Sequence, residues 1–181
     1  MTYWQVQGTQ YPTYVIDLSK LNDFVEITDI MKTLKITNYV YTFIHSQQVI
    51  KHGISADNSL TWGERIYRQS GHLEGWSRKL APGSSGSDMQ DISNDHYVRY
   101  GSFLDRMNMI ITVIDLTAVQ SPVVADPAYP CKQLESQLIK EHIESTGAAP
   151  IGNKRTEQKR QAKGIVTDAT FRHLFEEPNE S

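Results

Sequence analysis

Tyr41, Lys51, Arg65, Arg68 and Glu135 are the residues whose chemistry calls for explanation. A phenol, an amine and two guanidinium groups fall within Tyr39–Arg68, which reads YVYTFIHSQQVIKHGISADNSLTWGERIYR. Glu135 stands apart, in Cys131–Ser145. There Cys131, Leu134, Leu138, Ile139 and Ile143 define one apolar helix face. Glu135 and His142 fall near the middle of that face, while Lys132, Gln133, Ser136, Gln137, Lys140, Glu141 and Glu144 lie opposite or at its edges. Burying an unpaired carboxylate is costly, so Glu135 requires a cation, hydrogen-bond donors or a metal ion beside it. Two readings stand: a structural ion pair or hydrogen bond, or a divalent-metal ligand facing a cleft. His142 reads as a core histidine, because one Glu and one His make a thin zinc set.

The elements that must hold these groups follow from hydrophobic period. Asn38–Ile44 and Gln48–Ile54 read as a hairpin, with Tyr39, Tyr41 and Phe43 on one side and Val40, Thr42 and Ile44 on the other. A helix is expected from about Trp62, capped by Ser59 or Thr61, with Arg65, Arg68 and His72 along its flank. Residues 81–95, rich in Gly, Ser and Asp, are expected to form a loop, and His96–Arg106 a short helix. Met107–Leu116 is nearly continuously apolar, as a central strand covered on both faces would be. Gly147 lies where the helix from Cys131 should stop. Upstream, TYWQVQ and TYVIDL are β-like, and Asp23–Leu34 carries apolar residues at helical spacing.

The chain has 181 residues, enough for one core with appendages. No apolar run approaches the roughly 20 residues that span a bilayer, and MTYWQVQGTQ lacks the basic start and apolar centre of a signal peptide. Cys131 is the single cysteine, which excludes an intramolecular disulfide and a multi-cysteine zinc site and favours a reducing, cytoplasmic setting. The net charge of −3 does not mark a nucleic-acid binder. The dense basic patch Lys154, Arg155, Lys159, Arg160 and Lys163 reads either as a solvated helix face or as a phosphate-contacting segment.

In order and spacing, five elements resemble the GIY-YIG nuclease family. They are Tyr39-Val40-Tyr41; Lys51-His52-Gly53 on the adjacent strand; Arg65 at a helix start; Glu135-Ser-Gln-Leu-Ile on a later helix; and Pro150-Ile-Gly-Asn153. Val40 and Lys51 replace the family's eponymous residues, and Tyr39 its first glycine; lysine at the position of Lys51 occurs in restriction-type members. Arg68 followed by His72 is a second arginine pattern seen in the family. The resemblance covers about Asn38–Lys154. It implies an α+β fold, with a small three-stranded antiparallel sheet flanked by helices as a domain at 38–154. An N-terminal extension (1–37) and a basic C-terminal segment with a tail (155–181) flank it.

The resemblance further implies an endonuclease hydrolysing DNA phosphodiester bonds. Tyr41 would position or deprotonate the attacking water, and Lys51 would lower the pKa of that phenol or orient the water. Arg65, nearer the helix start, or Arg68 in its place, would hold the phosphate with its guanidinium fork. Glu135 would hold one Mg²⁺, or another divalent ion such as Mn²⁺. Arg68, His72 and Asn153 would be secondary or substrate-binding residues. Two alternatives stand beside it: a nucleic-acid-binding module whose catalysis has decayed, and a structural or protein-interaction domain in which Glu135 pairs internally.

Overall fold

The computed structural model describes residues 1–22, 25–56 and 88–153. Its centre is a five-stranded antiparallel sheet: β1 (Tyr3–Val6), β2 (Thr13–Asp17), β3 (Tyr39–His45), β4 (Gln48–Ser55) and β5 (Met109–Asp115), in the order β1-β2-β5-β3-β4. The class is α+β, as expected, but the sheet has five strands where three were expected. The extra two are the β-like runs near the N-terminus. They join through β2, whose Val15 lies opposite Thr112 and Ile16 opposite Ile111 on β5.

β5 is the middle strand, which accounts for its near-continuous apolar run. All seven residues of β3 are buried for the same reason: the sheet is covered on both faces. Tyr39, Tyr41, Phe43, Ile111 and Val113 pack on one face against α1 (Val25–Thr33), through Ile27, Ile30 and Met31. Ile92 of α2 (Asp88–Tyr100) joins the same core. On the opposite face Val40, Val15, Trp4 and Ile114 meet Cys131 and Leu138 of α3 (Tyr129–Thr146). Alternation along each strand thus divides the molecule into two cores separated by the sheet.

Local chemistry explains the boundaries. α3 stops at Gly147, whose φ of +86° is left-handed and whose N–H donates to the Ile143 carbonyl at 2.8 Å. The β3–β4 connection is a two-residue turn at Ser46 and Gln47, because His45 belongs to the strand. Residues 88–95, expected in a loop, form the start of α2, and that helix ends at Tyr100, short of Arg106. The Ser- and Asp-rich composition that argues for a loop is tolerated here because Ser93 is buried and its hydroxyl accepts from the Leu104 N–H at 2.9 Å.

Candidate functional site

Tyr41 stands on β3 opposite Gly53 of β4, and its ring passes over that glycine. A Cβ at position 53 would run into the phenol end of the ring, lying 2.7 Å from one ring carbon and closer to the carbon bearing the hydroxyl. Gly53 is therefore required by its neighbour: its bare backbone lets the phenol reach across onto the edge strand. Lys51 is paired with Phe43, so it projects on the same sheet face as Tyr41. Ile50 is the extra residue of a bulge just before it, a local distortion that re-aims side chains at an edge. The stem of Lys51 packs on Gly152, where a Cβ would lie 2.7 Å from the Lys51 Cβ.

Asn153 closes the edge. Its Oδ1 accepts from the His52 N–H at 2.8 Å and its Nδ2 donates to the His52 carbonyl at 2.9 Å. The side-chain amide thus pairs with β4 as one more peptide unit of the sheet would, and Asn153 is buried. A 3₁₀ turn at Ile151–Asn153 presents it. Tyr41, Lys51 and Asn153 are thereby gathered around three consecutive residues of β4, Lys51 to Gly53.

Glu135 is only 3 % exposed, on the same helical stripe as Cys131, Leu138 and His142. That stripe faces the second core, so α3 approaches β4 from the face opposite to the Tyr41 ring. The neighbouring carboxylate is felt at Cys131: burial first, then Glu135 and Asp115, push its thiol up to about 12. Glu141, expected opposite the apolar face or at its edge, is buried as well.

His52 points toward α3, since its partner Thr42 lies on the Val40 side of β3. Its Nδ1 shares a 2.7 Å hydrogen bond with the Thr42 hydroxyl. Burial, with the charge of His142 adding to it, lowers its pKa from 6.5 to about 3, so the imidazole is neutral at ordinary pH. A buried Thr42–His52–His142 group is thus a feature that the strand pattern of the sequence hides. Its sequence signal is the polar residues Thr42 and His52 at positions where neighbouring strands bury their side chains.

Arg65, Arg68 and His72 lie outside the described residues, as does the basic segment from Lys154. Among the described residues no three His, Cys, Asp or Glu side chains come together as a metal-binding group. No described helix is long and apolar enough to cross a membrane. No family model, no curated protein and no solved structure matches the chain.

Proposed function

We propose that the chain is a divalent-metal-dependent DNA endonuclease of GIY-YIG type whose phosphate seat lies along the edge strand β4. The observation that carries this reading is the passage of the Tyr41 phenol over Gly53, on the sheet face that also bears Lys51, with Tyr41 itself 1 % exposed in the first core. In this reading the phenol positions or deprotonates the attacking water, and the Lys51 ammonium favours the phenolate or orients the water. Arg65 grips the phosphate bidentately, with Arg68 and His72 in support. Glu135 is the residue that the resemblance assigns to Mg²⁺ or Mn²⁺, an ion that would supply neutralisation of charge on the phosphate and the leaving oxygen; its burial on the face opposite the Tyr41 ring is the observation that weighs against this assignment. Asn153 acts on β4 itself, keeping Lys51 and Gly53 in register through His52.

A second reading has its own observation. Glu135 is buried on the helix that covers the opposite face from Tyr41, as it would be in a nucleic-acid-binding or protein-interaction domain whose carboxylate is structural. Plasmid incubated with purified protein in Mg²⁺, Mn²⁺ or EDTA separates the two. The nuclease reading expects metal-dependent nicking or linearisation, abolished by Glu135→Ala and reduced at least a hundredfold by Tyr41→Phe. Equal inactivity of the unmodified chain and Glu135→Ala under every metal would sink it, and DNA binding without cutting would then favour the decayed module.

A further inference from the structure

The last turn of α2 exposes what folding normally hides. Val98 is 84 % exposed, Tyr100 52 % and Tyr97 38 %, with Arg99 exposed between them. Single exposed apolar residues are ordinary, but adjacent large ones mark an interaction surface. The rings here are held in place. Tyr97 stacks on Phe103, with centroids 4.3 Å apart and planes 13° from parallel. Tyr100 packs against His96 at 4.8 Å, and its hydroxyl accepts from Gln48 Nε2 at 3.5 Å. Gln48 opens β4, and Lys51 lies three residues further on, which at about 3.3 Å per residue is roughly 10 Å away. α2 belongs to the core on the Tyr41 face and lies against the Ile151–Asn153 turn. The aromatic surface and the Lys51–Gly53 edge are thus neighbours on one side of the sheet.

We propose that Tyr97 and Tyr100, framed by Phe103 and Arg99, form a stacking platform for the unpaired bases of a nucleic-acid strand whose backbone runs along β4. The inference rests on the reading that the chain acts on nucleic acid. Preset aromatic faces take any base, because every base has a π face, and Arg99 supplies a cation for the adjoining phosphate. A platform of this kind favours single-stranded or frayed segments over an intact duplex, whose bases are already stacked.

The test is fluorescence anisotropy of a labelled single-stranded oligonucleotide in EDTA, using the Glu135→Ala chain so that nothing is cut. The double change Tyr97→Ala with Tyr100→Ala is expected to weaken binding by roughly tenfold or more, while Tyr97→Phe with Tyr100→Phe keeps it. On the unsubstituted rings, the oligonucleotide is expected to shift the Tyr97 and Tyr100 ring protons upfield in NMR spectra; this readout holds even if the alanine pair fails to fold. Unshifted ring protons, alanine-pair affinity equal to the parent, or a preference for a protein ligand with no oligonucleotide bound would each overturn the proposal. Ring shifts without metal-dependent cleavage would leave the platform standing and remove the nuclease reading. Cleavage without ring shifts would do the reverse.

Discussion

The Tyr41 ring occupies the space where a side chain at Gly53 would begin. This pairing across two strands turns the glycine of Lys51-His52-Gly53 from a motif letter into a steric requirement. Gly53→Ala is therefore expected to displace the phenol and destabilise the chain by about 1–3 kcal/mol, the usual scale of overpacking. In a Tyr41→Leu background, where the far end of the ring is gone, the same change should cost markedly less. Urea titrations of the four chains in a double-mutant cycle check this, and additive effects would refute the contact.

His52 makes stability depend on pH in a defined direction. Its pKa is lowered from 6.5 to about 3 in the folded chain. The unfolded chain therefore binds a proton below 6.5 that the folded chain refuses until about 3. Stability from this group is complete above 6.5 and is lost as pH falls toward 3, with a slope of at most about 1.4 kcal/mol per pH unit. Asp105, where burial pushes the carboxyl up but the hydrogen bonds to His45 and Asn108 together hold it low, adds acid sensitivity only within the carboxylate range below that of histidine. Unfolding curves at stepped pH should flatten between 6.5 and the carboxylate range in His52→Gln; an unchanged slope would count against a buried neutral imidazole.

Which parts of this arrangement are legible in the sequence depends on how local their causes are. The β3–β4 hairpin, the apolar β5 and the stop of α3 at Gly147 follow from alternation, run length and left-handed glycine, all properties of a few consecutive residues. The placement of β1 and β2 is different: Val15 finds Thr112 far along the chain, and no local pattern names that partner. A helical wheel likewise places Glu135 among apolar residues but cannot say which sheet face α3 will cover. The separation of Glu135 from the Tyr41 ring is thus a tertiary fact. Glu141 shows the wheel's other limit, since α3 buries a wider arc than its apolar residues define.

Asn153 offers a test of edge support that is separate from chemistry. Asn153→Ala removes partners from both the N–H and the carbonyl of His52. With each buried group left unpaired costing about 1–3 kcal/mol, a loss of about 2–6 kcal/mol is expected. The His52 amide should also exchange much faster with solvent. Asn153→Asp keeps an acceptor for the N–H but sets a carboxylate against the carbonyl. Its stability should improve on mild acidification, as the carboxyl becomes a donor. Unaltered His52 exchange in the alanine chain would show that the amide bridge does not hold the strand.

The turn that joins β3 to β4 is built from residues ill suited to it. Ser46 and Gln47 have φ of 47° and 67°, the left-handed values that a two-residue hairpin of right-handed twist demands. Neither residue is glycine or asparagine, so the backbone conformation is held by its surroundings, including the Ser46 N–H donating to the Asn108 carbonyl at 2.9 Å. Ser46→Asn with Gln47→Gly keeps that N–H and relieves the left-handed penalty, so it should stabilise the chain by about 1–2 kcal/mol. Because Gln48 next to the turn contacts Tyr100, the same variant also asks whether the strained tip serves the aromatic surface. A gain in stability with unchanged oligonucleotide affinity would make the strain incidental. A gain in stability with weakened affinity would tie the turn to the placement of Tyr100, and no gain at all would contradict the strain itself.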